Sequence, residues 1–228
     1  MDMLQAMQLR HAVRDYSDQP LSEDTLAAIA QAIREVNAAS GLNIQLVHGS
    51  DDALNGCPTH YGRFKNVRNM LAFIGPDSDD LDERIGYWGE RLVLTAVSLG
   101  LDASWVVLHD TEKTGCSWTL QDGERMPAAA TLGYGNRPGR PHRSKPMEEL
   151  GTVESGTYAD APDWFHQGIE AVSLAPSALG KQPVRFTLLE DGHHVKAEAL
   201  EGVQASICLG IAKLHFELAA GTEHFVWA

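Results

Sequence analysis

The chain has 228 residues, 43% of them hydrophobic and 21% charged, with a formal net charge of -13. That length holds one sizeable core or two closely fused halves, and the composition excludes a disordered chain. The acidic balance, with no long basic stripe to override it, argues against nucleic acid and anionic membranes as partners. The longest near-apolar stretch, residues 92–101, is too short to cross a bilayer and runs straight into Asp102. The opening Met-Asp-Met-Leu-Gln has no basic segment followed by an apolar run, so no signal peptide is expected. Three scattered cysteines, Cys57, Cys116 and Cys208, suit a reducing compartment, and a cytoplasmic location is the expectation.

In chain order, Arg10-His11-Ala12-Val13-Arg14 comes first and packs two guanidiniums and a histidine into five residues. Ser22 then reads as a helix cap, with Glu23 and Asp24 in the first turn and Leu26, Ile29, Ala30 and Ile33 on one face. That helix should end within residues 37–40, broken by Gly41. Residues 43–48 read as a strand, with Ile44 and Leu46 on one face, and residues 69–74 as a second strand. An acidic turn at 77–82 leads into a helix over 85–100, with Ile85, Trp88, Leu92 and Leu99 inward and Gly100 as its stop. Residues 103–108 and 127–134 read as apolar strands, the latter closing in Gly133-Tyr134-Gly135. These glycines and Gly139 are not a dinucleotide fingerprint, because Pro138 and the polar run after it allow no helix there. Arg137, Arg140, His142, Arg143 and Lys145 form a basic loop, followed by a Gly/Ser-rich stretch at 151–156. A helix over 162–174, a strand over 184–189, a turn at Asp191-Gly192 and a helix over 203–219 complete the chain. The last helix should turn Val203, Ile207, Ile211, Leu214 and Leu218 inward. It should pair centrally with the helix over 85–100, because Gly89, Ala96, Gly210 and Ala212 permit close approach.

The basic segments suit an anionic ligand, since guanidiniums brought to one point make charge-assisted bonds with phosphate or carboxylate. A solvated charged loop is the alternative for residues 137–145. Alternation along a strand puts Asn43 and Gln45 on one face, where both amides can address a planar heterocycle. The plainer alternative makes Asn43 a turn cap and Gln45 an ordinary strand residue. His193-His194 has no ligand partner at a recognised metal spacing, no His-Glu-x-x-His or Gly-x-Ser-x-Gly occurs, and His215 reads as a packing or hydrogen-bonding histidine. With no evident acid, nucleophile or metal, a redox cofactor that carries its own chemistry is favoured. The order of elements also repeats. A helix, Ser40-x-x-Asn43-x-Gln45, a strand and a glycine-containing helix in the first half are matched by a helix, Ser177-x-x-Gly180-x-Gln182, a strand and a glycine-containing helix in the second. Duplication and chance both remain open on so short a motif.

Four features together resemble the nitroreductase family of FMN enzymes. They are Arg10-His11-Ala12-Val13-Arg14, Ser40-x-x-Asn43-x-Gln45, Gly100-Leu101-x-x-x-Trp105, and Gly133-Tyr134-Gly135 with Arg140-x-x-Arg143-x-Lys145-Pro146. The second motif and the ending Gly210-Ile211-Ala212-x-x-His215-Phe216-Glu217-Leu218 resemble the branch typified by thermophilic bacterial members. The resemblance implies an α+β fold, a central mixed and mainly antiparallel sheet flanked by helices, as one nitroreductase-like domain over 1–228 with halves at 1–146 and 147–228. It implies FMN, its phosphate held by Arg10, His11, Ala12 and Arg14 with Arg143 or Lys145, and its ribityl chain and ring by Ser40, Asn43 and Gln45. It also implies hydride from NAD(P)H, a nitroaromatic, quinone or similar small acceptor, and no catalytic side chain. The alternative is a flavin-binding or sequestering protein with little turnover. The family is usually homodimeric; here a monomeric pseudo-dimer is the first expectation and a homodimer the second. Two departures bear on this. Ala12 stands where the family often has serine, and Gly180 stands where the first motif has Asn43.

Overall fold

The computed structural model describes every residue except His142, so that member of the basic loop lies outside the described residues. The chain forms two compact units, Met1–Leu81 with Arg91–Pro141, and Asp82–Glu90 with His142–Ala228. Each unit carries a four-stranded sheet, and the fold is α+β with mixed, mainly antiparallel strand pairing flanked by helices. The expected single sheet is thus distributed over two. No helix among the described residues is long and apolar enough to cross a membrane.

In the first unit, helix α1 (Met3–Leu9) was not expected from the apolar pattern, which is too short to show a period. Its start is nonetheless written in the sequence as a capping box, in which Asp2 Oδ1 accepts the Gln5 N–H at 2.8 Å. Helix α2 (Glu23–Ser40) begins where Ser22 Oγ accepts the Thr25 N–H at 3.1 Å and buries Ile29, Ile33 and Val36. Gly41 ends it at φ 69°, a left-handed stop that costs glycine nothing. Strand β1 (Gln45–Val47) is shorter than the 43–48 reading; its register with β2 (Asn69–Pro76) runs from Gln45 opposite Ala72 to Val47 opposite Met70, with one further backbone bond from the Asn43 N–H to the Ile74 carbonyl at 2.8 Å. Helix α3 (Leu81–Ser98) follows, its residues 82–90 belonging to the second unit, then β3 (Asp102–Val106) and β4 (Glu124–Gly133), giving the antiparallel order β1-β2-β4-β3. From Met70 to Ile74, every residue of β2 is wholly buried, which explains its unbroken apolar run.

The second unit is built on α4 (Met147–Leu150), β5 (Gly151–Val153), α5 (Asp163–Leu174), β6 (Val184–Leu188), β7 (His194–Ala199), α6 (Ala205–Ala220) and β8 (Val226–Trp227). The sheet order is β5-β6-β7-β8, parallel at both ends and antiparallel in the middle. Three expectations change here. The Gly/Ser-rich stretch starts as a strand, because Gly151 has no Cβ to meet Ile169 Cγ1 at 2.6 Å and its segment can pair beside β6. Strand β7 carries too little apolar alternation to be seen in sequence. Val203 is 43% exposed, since α6 starts at Ala205 behind a left-handed Gln204.

Helix α6 buries Ile207, Ile211 and Leu214, with Leu218 half-buried. It crosses residues 82–90 of α3 at backbone contact, so the expected helix pair is present. A Cβ on Gly86 would collide with the Ile207 carbonyl oxygen, and one on Gly210 with that of Glu83. The close crossing therefore uses Gly86 with Gly210; Gly86 was missing from the expected set. Beside it, His215 and Glu90 are completely buried and paired at 3.1 Å, while His215 Nδ1 lies 3.0 Å from the Ala171 carbonyl. That carbonyl can only accept, so Nδ1 carries a proton. Its Nε2 faces the Glu90 carboxyl, so each buried ring nitrogen of His215 has a polar partner.

Candidate functional site

The segment holding the first two arginines is extended. Helix α1 ends at Leu9, and Arg10 caps it with its N–H donating to the Ala6 carbonyl at 2.8 Å and a backbone at φ -64°, ψ 120°. Ala12 then forms a parallel bridge with Ala103 of β3, fixed by the Val13 N–H donating to the Ala103 carbonyl at 3.1 Å. Asp15 bridges Lys65 and Tyr16 bridges Gly135. The buried Tyr16 hydroxyl donates to the Val13 carbonyl at 2.7 Å and lies 2.7 Å from Thr131 Oγ1. Burial pushes that phenol well above its ordinary pKa, against a smaller lowering by the Thr131 hydrogen bond. The i, i+4 spacing of Arg10 and Arg14 is therefore read out along a strand pinned to the sheet, not on a helix face.

Glycines shape the ground around this strand. Gly139 lies so close to His11 that a Cβ would overlap the His11 Cβ, and a Cβ on Gly135 would come within 2.7 Å of Val13 Cγ1. The Gly133-Tyr134-Gly135 segment and Gly139 serve this crossing, which gives them a reason other than nucleotide binding. Arg10 is only 5% exposed. The Arg14 guanidinium stands 5.8 Å from the centroid of Phe64, and Gly62, at φ 91°, brings the 58–66 loop against the Arg14 side chain. Arg14 Nε is buried with no hydrogen-bond partner among the described residues. His11 Nδ1 lies 2.8 Å from the Leu9 carbonyl, and Ala12 is exposed. Phe64 and Gly62 were not singled out in the sequence, where one aromatic and one glycine in a loop carry no pattern.

Ser40, Asn43 and Gln45 lie elsewhere. Ser40 Oγ donates to the Val36 carbonyl at 2.7 Å and accepts the Leu42 N–H at 3.1 Å. Asn43 Nδ2 donates to Glu124 Oε2 at 3.0 Å. The Gln45 amide is matched like a backbone peptide, with Nε2 donating to the Thr119 carbonyl at 2.7 Å and Oε1 accepting the Thr119 N–H at 3.0 Å. Strand β1 is one edge of the sheet, and Ala12 pairs beyond β3 at the other, so four inter-strand steps, about 19 Å in all, separate Gln45 from the strand of residues 10–14. The two groups form two clusters, not one.

In the second unit Arg143 is exposed, whereas Lys145 is engaged, its ammonium donating to the Gln182 carbonyl at 3.0 Å. Gln182 is 4% exposed; Oε1 accepts the Lys145 N–H at 2.8 Å, Nε2 donates to the Ser173 carbonyl at 2.9 Å, and its own N–H donates to Ser177 Oγ at 2.9 Å. Leu179, Gly180 and Gln182 all have positive φ, at 54°, 66° and 45°.

The chain matches the family model described as "Putative TM nitroreductase" over residues 2–220. Among solved structures it is similar to a "putative nitroreductase" of Thermotoga maritima, at 19% identity and a TM-score of 0.63, over 96% of this chain and 83% of that one. A structure from Desulfovibrio desulfuricans, described as "a putative nitroreductase in complex with fmn", aligns at 18% identity and a TM-score of 0.53, over 66% of this chain and 95% of that one. A "Putative NADH dehydrogenase/NAD(P)H nitroreductase" of Parabacteroides distasonis aligns at 20% identity and 0.51, over 65% and 95%. None of the curated proteins matches. These likenesses, at such low identity, are likenesses of fold. The family match, however, runs through the pinned arginine strand, both Ser-to-Gln motifs and the α3–α6 crossing, and by it the chain belongs to the nitroreductase family.

Proposed function

We propose that this chain is an FMN-dependent oxidoreductase that takes hydride from NAD(P)H and reduces a nitroaromatic, a quinone or a similar small acceptor. The observation that carries the reading is Arg14. Its Nε is buried without a partner among the described residues, on a strand whose backbone is fixed at both ends. An orphaned cationic donor of this kind is stabilised by an anion, and the monophosphate of FMN fits one guanidinium pair. Bound flavin supplies the hydride chemistry. Arg10 and Arg14 hold the phosphate, and the exposed Ala12 beside the half-buried His11 leaves room for it. Of the two late basic residues, the exposed Arg143 is the better candidate, because Lys145 already braces Gln182. Ser40, Asn43 and Gln45 belong to the ring end of the reading. To contact a ring, Gln45 must release Thr119 and Asn43 must release Glu124. Residues 1–146 and 147–228 are then halves of one domain and the chain is a monomeric pseudo-dimer, to be checked by light scattering.

Saturable quenching of FMN fluorescence tests the binding. R14A should weaken it by roughly 1.5 to 3 kcal/mol, and a loss under about twofold, or ~0.4 kcal/mol, moves the phosphate elsewhere. Flavin bleaching by NADH or NADPH without oxygen, followed by reoxidation with a quinone, tests the turnover. The fully engaged amides of Asn43 and Gln45 favour a second reading, flavin sequestration with little turnover. Tight FMN binding with neither half-reaction is its signature.

A further inference from the structure

Among the described residues, no group of three or more His, Cys, Asp or Glu converges as a metal site. One pair outside the arginine strand and the Ser-to-Gln motifs places two imidazole nitrogens within hydrogen-bond distance of each other. His60 Nδ1 lies 3.3 Å from His109 Nε2, with ring centroids 5.2 Å apart and planes inclined by 39°. Both side chains belong to exposed residues.

We propose that His60 and His109 form a two-imidazole site for a divalent transition-metal ion of the zinc, nickel or copper class, with the remaining coordination positions open to water. The backbone under the pair is a short antiparallel ladder. Thr59 bridges Leu108, the His60 N–H donates to the Val107 carbonyl at 2.8 Å, and the His109 N–H donates to the Pro58 carbonyl at 2.9 Å. In such a ladder the residues flanking the bridge pair share one face, so His60 and His109 are diagonal neighbours on it. The edge of Tyr61 meets the His60 ring at 5.8 Å and helps to orient it. Two nitrogens on one tetrahedral zinc, each about 2.0 to 2.1 Å from the metal, stand roughly 3.3 to 3.4 Å apart. The observed separation falls there, so an ion can take the place of the proton in the hydrogen bond that the two nitrogens make without metal. The formal net charge of -13 adds a general attraction for cations. Cys57, three residues before His60, stays out of the set, since its buried thiol donates to the Asp110 carbonyl at 3.7 Å.

The test uses the full chain without an affinity tag, stripped with a chelator and titrated with Zn2+ against a fluorescent zinc indicator. One ion should bind the unmodified protein. H60Q and H109Q should each weaken it by roughly tenfold or more, because either imidazole alone loses the other as an intramolecular ligand. Zn2+ should also raise the thermal midpoint of the unmodified protein and not of the two variants. Both positions are exposed, so the variants should match the parent in urea without metal. Binding that is unchanged in either variant, or lost only in C57S or C116S, overturns the site, as does no uptake at millimolar Zn2+.

Discussion

The two Ser-x-x-x-x-Gln segments share spacing and differ in almost everything that spacing was taken to mean. In the first unit, Ser40 finishes a helix, Gly41 turns the chain, and Gln45 opens an edge strand with its amide matched to Thr119 on a half-buried surface. In the second, the same span is a tight loop with three left-handed residues, and Gln182 is sunk in the interior, joining Lys145, Ser173 and Ser177. The first glutamine could exchange its partners for a ligand at modest cost. The second cannot, because every polar atom of its amide holds a backbone group that would be left buried. One sequence pattern thus serves a surface in one unit and a core in the other.

The contrast is sharpest at the glycines. In the second unit a methyl group on Gly86 or Gly210 meets a backbone carbonyl, while in the first a methyl group on Gly75 meets only the ends of Leu42 and Leu81. G86A or G210A should therefore abolish folding or cost more than about 4 kcal/mol, against about 1 to 3 for G75A. Equal costs in urea would erase the distinction. Q182A comes next, at roughly 2 to 4 kcal/mol for two buried hydrogen bonds and a cavity, with Q45A near 1. If Q45A costs as much, the first motif is as structural as the second and its flavin role falls.

Alkaline pH probes the first unit. Burial raises the Tyr16 phenol above its ordinary pKa of 10.0, so in the fold it keeps a proton that a free tyrosine loses. A raised folded pKa means full stability below pH 10.0 and loss as pH climbs beyond it, by up to about 1.4 kcal/mol per pH unit. Absorbance titration of the five tyrosines should show one that ionises only on unfolding, and Y16F should remove that component. The smallest effect belongs to G180N. The site has open space and φ 66°, which asparagine tolerates best after glycine, so a cost within about 1 kcal/mol is expected. A larger cost would show that Gly180 is held by its backbone, and regained FMN contact would show that the second motif still faces the ligand.

Long periodic elements were legible without coordinates. Helix α2 with its Ser22 cap and Gly41 stop, the apolar β2, and α5 and α6 all follow from local rules that act within a few residues. The family, too, was legible, because its motifs are spaced along nearly the whole chain. Short elements were not. Helix α1 and strand β5 have too few residues to display a period, β7 carries too little apolar alternation, and β5 exists only because β6 offers it an edge. The candidate residues themselves were written in the sequence, but their partners were not. Thr119 for Gln45, Glu124 for Asn43, Phe64 for Arg14 and His109 for His60 lie roughly 50 to 80 residues away along the chain. Local propensity and spacing specify which side chains can bind an anion or a ring. Which of them are left free to do so is decided by contacts between distant segments, because only packing determines which polar groups find partners inside the protein.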